Sequence, residues 1–282
     1  MLAFIPSPSS GAIHLGPLQL RAYGLMIALG VLAAVKVAST RWQRRGGSAD
    51  DMTAVATLAV PAGLVGARLY HVITDYQRFQ GRWLHVFAIW EGGLGIWGGV
   101  ALGGLVGWLV ARHRGCDATA MLDMCAPAIP LAQAIGRWGN WFNQELFGRP
   151  TKLPWAVEID PSHRPPAYLR DATFQPTFLY ECLWNLVVVA IVLWAERRFR
   201  LRKGGLFALY VATYTFGRFW VELLRIDDAH HVLGLRLNDW TSIVVFVIAA
   251  AFVWARRPVD DEGSVEIGSA DGEHPAEDEA SR

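Results

Sequence analysis

Residues 178–224 read FLYECLWNLVVVAIVLWAERRFRLRKGGLFALYVATYTFGRFWVELL. Residues 178–195 carry one full charge, Glu181, and then Arg197, Arg198, Arg200, Arg202 and Lys203 crowd into a short stretch. A second apolar block follows, whose charges, Arg218 and Glu222, sit near its far end. Each block approaches the roughly 20 residues a helix needs to cross about 30 Å of hydrocarbon. Neither has the polar stripe that a helix on the surface of a soluble domain would show. Two apolar blocks joined by a basic loop predict a pair of membrane-spanning helices. The buried charges of both blocks then fall at the end opposite that loop.

The same pattern extends in both directions. Seven candidate spans lie at about 19–39, 52–73, 90–111, 119–138, 178–196, 204–224 and 239–255. The third is rich in Gly, which predicts close packing through small residues. The fourth contains Pro127 and Pro130, which predict a kink. The composition agrees: 53% of the 282 residues are apolar and 18% charged, below the roughly 25% of an ordinary soluble domain. This excludes a soluble globule, a disulfide scaffold and a disordered chain. The predicted class is all-α, a polytopic membrane bundle with seven transmembrane helices. Residues 1–257 form the transmembrane unit, and the first span is expected to be retained, since no basic region precedes it. Residues 258–282 hold nine acidic side chains and a single base, Arg282, and read as a disordered tail. The rest of the chain is basic, which suits anionic lipid headgroups and, beside membrane spans, does not point to nucleic acid. Cys116, Cys125 and Cys182 are isolated, so neither a disulfide framework nor a metal site is expected.

Orientation follows from the loops. Arg41, Arg44 and Arg45, Arg112 and Arg114, the 197–203 cluster, and Arg256 and Arg257 all fall on one side. The positive-inside rule assigns that side to the cytoplasm, with the N-terminus outside and the tail inside. Segment 139–177, which holds Pro150, Pro154, Pro161, Pro165 and Pro166 among its six prolines, is too long and irregular for a hairpin and predicts a small extracytoplasmic head. Segment 74–89, with Trp83 and Phe87 beside Arg78 and Arg82, predicts an interfacial amphipathic helix.

Charges at membrane depth cost about 2.5–3.5 kcal/mol each on insertion scales, so each needs a partner or a task. The candidates are Arg68, Arg137, Glu181, Arg218 and Glu222, with Glu91, Glu145 and Arg225 nearer the outer edge. Tyr214, Arg218, Glu222 and Arg225 share one helix face. They read either as a structural Arg–Glu pair or as a cationic cradle for a lipid phosphate, which the guanidinium fork suits. Glu181 and Asn185, four residues apart, read as a hydrogen bond between helices. His71 closes the second span and reads first as structural.

Five blocks then decide the family. They are Arg21-Ala22-Tyr23-Gly24-Leu25, Gly66-Ala67-Arg68-Leu69, Gly136 to Arg149 in a GRxGNxxNxELxGR pattern, Gln175 to Glu181, and Gly217 to Arg225. In this order they resemble the bacterial prolipoprotein diacylglyceryl transferase family. The resemblance covers about residues 20–245. It implies an inner-membrane enzyme without cofactor or metal. That enzyme moves the diacylglyceryl group of phosphatidylglycerol to the thiol of the lipobox cysteine of a preprolipoprotein, releasing glycerol 1-phosphate. By position, Tyr23, Arg137, Asn140, Glu145, Gly148, Arg218 and Glu222 match residues linked to activity. Arg137 and Arg218 are expected to bind phosphate, with Arg68, Arg225 and Gly148 also at the substrate.

One position departs from the family. Many members carry a His in the third span, proposed as general base, where this chain has Trp97. Indole only donates a hydrogen bond. Glu145, His71 or Glu91 could replace that base. Alternatively no base is needed and two arginines lower the thiol pKa by their field. Rival readings are a transporter or channel, or a non-catalytic lipid-binding scaffold. No two-fold repeat supports transport, and only an enzyme turns over.

Overall fold

A computed structural model describes residues 4–255 apart from 16, 17, 89–91, 228 and 230. The acidic tail and Glu91 lie outside the described residues. Among them, eight α-helices form: α1 (Ala22–Arg44), α2 (Ala49–Thr74), α3 (Ile96–His113), α4 (Ala118–Cys125), α5 (Ala128–Asn143), α6 (Thr177–Arg198), α7 (Gly205–Leu224) and α8 (Leu237–Ala255). Three antiparallel strand pairs join them: β1 (Ala12–Leu15) with β2 (Leu18–Arg21), β3 (Val157–Glu158) with β4 (Thr173–Phe174), and β5 (His231–Val232) with β6 (Leu235–Arg236).

Helices occupy every stretch expected to span. Four of them, α1, α2, α6 and α8, are long and apolar enough to cross a membrane individually. A fifth span forms if α4 and α5 are one crossing broken by a 43° bend. The break lies at the expected prolines: Pro127 lacks an N–H between the two helices, and Pro130 enters the first turn of α5, where a missing donor is harmless. Helix α3, diluted by glycine, and α7, which carries Arg218 and Glu222, fall below that apolar mark.

Three boundaries differ from expectation. Residues 19–21 belong to strand β2, not to the first span. The third span begins at Ile96, because residues 92–95 are not helical and Gly92 and Gly93 take positive φ. Of segment 74–89, the described residues 74–88 hold two short 3₁₀ turns, Tyr76–Phe79 and Trp83–Phe87, in place of an amphipathic helix. Gly81, at φ 78°, interrupts the helical path between them.

The basic loops after α1, α3 and α6 gather at one end of the bundle, where side chains satisfy the helix starts, while Arg256 and Arg257 lie outside the described residues. Asp117 caps α4 through the amides of Thr119 and Ala120. Asp123 accepts from the backbone amides of Gly204 and Phe207, so a carboxylate from α4 closes the N-terminus of α7. Ion pairs Arg41–Glu196 (2.7 Å), Arg114–Asp51 (2.8 Å) and Lys203–Asp117 (2.6 Å) tie α1 to α6, the end of α3 to α2, and the start of α7 to α4.

Helix α3 packs chiefly on α2, through the small residues the sequence suggested. A Cβ added at Gly98 would stand 2.1 Å from the carbonyl oxygen of Gly66, and one at Gly66 would stand 2.3 Å from that of Gly98. The obstruction is backbone on both sides and cannot rotate away. Gly66→Leu is therefore expected to destabilise the protein by about 1–3 kcal/mol, the usual cost of overpacking. A melting curve in detergent checks it, and an unchanged midpoint would show that the two helices separate freely.

At the opposite end, the long connection between α5 and α6 builds a small core of Phe147, Val157, Ile159, Phe174 and Phe178. Ile5 bridges to Val157, which brings the N-terminal segment onto strand β3. Gln144 fixes this arrangement: its side-chain amide donates to Pro8 O (3.1 Å) and Asp160 Oδ2 (2.7 Å), and its Oε1 accepts from the Asp160 amide (2.7 Å).

Candidate functional site

The last two turns of α5 supply the first half of the site. Arg137 and Asn140 stand three residues apart on one face. Between them in sequence, Gly139 admits the ring of Tyr23 from α1: a Cβ there would lie 2.6 Å from Tyr23 Cδ2. Helix α5 then stops. Gln144 adopts the left-handed conformation at φ 50°, and the Glu145 amide returns to the Asn140 carbonyl at 3.1 Å. That reversal folds Glu145 back over the helix end, where its Oε1 accepts from Asn140 Nδ2 (2.8 Å) and Asn143 Nδ2 (3.3 Å).

Helices α6 and α7 supply the second half. Glu181, buried in the second turn of α6, joins two arginines. Its Oε2 lies 2.5 Å from Arg137 Nη2, and its Oε1 lies 2.8 Å from Arg218 Nη1. Arg218 reaches Glu222, one turn along α7, at 2.5 Å. Glu222 is completely buried and also meets Arg225 (3.3 Å), Arg236 Nε (3.1 Å) and Asn238 Nδ2 (3.1 Å). Asp227 closes the chain, pairing both Nε and Nη2 of Arg225 (2.7 and 2.8 Å) and Nη2 of Arg236 (2.8 Å). Burial works against the charge on Asp227, but the bonds from Arg225 and Arg236 outweigh it and hold its carboxyl below the usual carboxylate range. Its contribution to stability is therefore present above the ordinary carboxylate pKa and is lost as pH falls through the depressed one.

Four guanidinium groups thus meet three carboxylates in one connected row, and Asn140 links that row to a fourth acid, Glu145. Exposure grades along the row: the side chains of Arg225 and Arg236 are each 7% accessible, while those of Arg137 and Arg218 reach 20% and 16%. The inner pair is locked into the scaffold. The outer pair, from two different helices, converges on one carboxylate while keeping accessible edges. Two guanidinium forks so placed can hold a phosphodiester and stabilise charge that grows on it.

Of the residues singled out from sequence, Tyr23, Arg137, Asn140, Glu145, Arg218, Glu222 and Arg225 therefore meet in one place. Three others, Arg68, His71 and Gly148, make these contacts. Buried Arg68 donates to the carbonyls of His85 (2.5 Å), Val86 (2.8 Å), Gly92 (2.5 Å) and Gly93 (3.2 Å), and lies over the Phe79 ring. It clamps the segment leading into α3. His71 pairs through Nδ1 with Asp75 at 3.0 Å, and a Cβ at Gly93 would lie 2.2 Å from its Nε2. Gly148 lets strand-like backbone dock: its amide reaches Gln175 O, the next amide reaches Leu224 O, and a Cβ would stand 3.0 Å from that same oxygen. Trp97, in the first turn of α3, is 46% exposed.

The sequence places Glu181 and Asn185 in hydrogen bonding between helices. The Asn185 side chain does donate to Glu181, but to its backbone carbonyl in the same helix (2.8 Å). The carboxylate itself is the bridge between Arg137 and Arg218. Charge balance was the available signal: two arginines at membrane depth need an acid between them, and Glu181 lies at that depth. Arg236, Asp227 and Asn238 gave no such signal, because they lie outside the apolar blocks.

Comparison with known proteins gives the family. The family profile described as prolipoprotein diacylglyceryl transferase matches residues 10–255. The chain is 54% identical over 275 residues to phosphatidylglycerol–prolipoprotein diacylglyceryl transferase 1 of Streptomyces coelicolor, covering 95% of this chain and 79% of that protein. It is 56% identical over 252 residues to the Cutibacterium acnes protein named phosphatidylglycerol–prolipoprotein diacylglyceryl transferase, covering 88% and 85%. To the Rhodococcus jostii protein of that name it is 46% identical over 287 residues, covering 96% and 80%. The chain belongs to the prolipoprotein diacylglyceryl transferase family.

Proposed function

We propose that this chain transfers the diacylglyceryl group of phosphatidylglycerol to the lipobox cysteine of preprolipoproteins, forming a thioether and releasing glycerol 1-phosphate. The observation that carries the reading is the convergence of Arg137 and Arg218 on Glu181, at the end of the bundle opposite the basic loops. With those loops in the cytoplasm, the site faces the outer half of a bacterial inner membrane that the chain crosses seven times. There a phosphatidylglycerol headgroup and an exported signal peptide both come within reach.

The chemistry follows from the charges. A thiolate displaces at a glyceryl carbon, and the carbon–oxygen bond to phosphate breaks. The phosphodiester carries one negative charge in the ground state, and the departing monoester gains more. Guanidinium groups held in place by Glu181 and Glu222 therefore bind the transition state more strongly than the substrate. Glu181 keeps the two cations close without substrate, which limits the reorganisation needed when a phosphate arrives.

The test is turnover. Full-length protein in phosphatidylglycerol vesicles, given a lipobox peptide, is expected to release glycerol phosphate and add a diacylglyceryl mass to the peptide. Both signals should vanish when phosphatidylcholine replaces the donor or serine replaces the cysteine. Peptide modification without glycerol phosphate release, or no turnover by folded protein, would overturn the proposal.

A further inference from the structure

We infer that Glu145 accepts the proton of the substrate thiol, and that Asn140 is the positioning residue that sets this carboxylate against the phosphate-binding Arg137. The inference rests on the transfer reading above and names a role within that same site. Asn140 is buried, and its one amide group faces two ways. Its Oδ1 accepts from Arg137 Nη1 at 3.3 Å, and its Nδ2 donates to Glu145 Oε1 at 2.8 Å. Turning the amide over would break both bonds, so its orientation is fixed by its neighbours. Cation and anion are thereby held at the two ends of a single planar group, one on the leaving-group side and one on the nucleophile side.

Glu145 differs from every other acid of the cluster. Both oxygens of Glu181 face arginines, and Glu222 is enclosed by three of them and Asn238. Glu145 is exposed, and the amides of Asn140 and Asn143 both load Oε1. Oε2 makes no hydrogen bond among the described residues. The charged and titratable groups around it are Tyr23 from α1 and Arg137 from α5, with Glu181 of α6 and Arg218 of α7 one contact further. His71 is placed differently: Nδ1 is held by Asp75 and Nε2 lies against Gly93. Trp97 has no acceptor to offer.

The step balances. The thiol proton moves to Glu145 Oε2 while a sulfur electron pair forms the carbon–sulfur bond. The carbon–oxygen bond to phosphate breaks with its pair on oxygen, and glycerol phosphate departs. Glu145 then returns its proton to the departing phosphate or to water.

The experiment compares Glu145→Gln with wild type in phosphatidylglycerol vesicles, using a lipobox peptide and the same peptide with selenocysteine in place of cysteine. At pH 7 the thiol is almost wholly protonated, and loss of a general base is expected to cost about 10²-fold or more. The defect should shrink at least about tenfold by pH 9, where the thiol ionises unaided. With the selenol, ionised at neutral pH, the variant should approach wild type. Asn140→Asp provides a second reading: a carboxylate oxygen facing Glu145 disfavours its charged form and should move the acid limb of the kcat/KM profile to higher pH. A Glu145→Gln defect of equal size at pH 7 and pH 9 and on both peptides would overturn the inference and leave Glu145 a structural anchor. Wild-type protein that releases no glycerol phosphate would instead overturn the transfer reading itself.

Discussion

Replacing Arg218 with alanine is expected to lower kcat/KM by about 10³-fold or more, the range found when a guanidinium is removed from a phosphoryl leaving group, while the protein keeps its melting temperature to within a few degrees. The two halves of this expectation have separate grounds. Activity falls because Arg218 is one of two guanidinium groups with an accessible edge at the site, and the charge it faces grows as phosphate leaves. Stability holds because each carboxylate that Arg218 touches keeps another partner. Glu181 retains Arg137 at 2.5 Å, and Glu222 retains Arg225 and Arg236 at 3.3 and 3.1 Å. Arg218→Lys should recover little. An ammonium is a point charge, and it cannot hold Glu181, Glu222 and a phosphate at once with the planar fork that Arg218 presents. Glycerol phosphate release by reconstituted variants, read beside their melting curves, decides the matter. Near-wild-type turnover in Arg218→Ala would remove this residue from the mechanism.

The helices were legible in the sequence because lipid-facing blocks state their length directly, and residues 178–224 carried both the spans and the side on which the charges gather. The broken fourth span was legible for the same reason: a proline removes a donor wherever it lies. Boundaries were less so. Strand β2 and the start of α3 depend on a hairpin and on glycines at positive φ, and an apolar window does not see backbone conformation. Segment 74–89 has the composition of an interfacial helix, yet Gly81 divides it into two turns. Within the site, membrane depth pointed to Arg137, Arg218 and Glu222, because an isolated charge there needs a partner. What depth could not give was pairing. The sequence places Glu181 in a bond between helices but does not name its partners, which are Arg137 of α5 and Arg218 of α7. Arg68 and Gly148 show the converse: they sit in motif blocks, but their surroundings here are backbone carbonyls and a close chain crossing.

Glu222→Ala is expected to have the opposite profile to Arg218→Ala, with the larger loss in stability. Glu222 is completely buried and is the acid on which Arg218, Arg225 and Arg236 converge, with Asn238 from α8 as a fourth partner. Removing one member of a buried ion pair leaves an uncompensated charge and costs about 3–5 kcal/mol. Two features pull this toward the lower end: Asp227 still serves Arg225 and Arg236, and Glu181 still serves Arg218. The loss falls on the junction of α7 with α8, where Arg236 and Asn238 fasten the start of α8 to Glu222. Glu222→Gln keeps the shape and one acceptor but faces arginine N–H groups with an amide that also donates, so it should fall between alanine and wild type. At temperatures where the alanine variant stays folded it should retain more turnover than Arg218→Ala, because the guanidinium that meets the phosphate is still present and still held by Glu181. Thermal unfolding in detergent and turnover below the midpoint measure the two effects independently. A Glu222→Ala protein with an unchanged midpoint and no turnover would mean that Glu222 acts on the reaction itself and that the buried row is not what fastens α8.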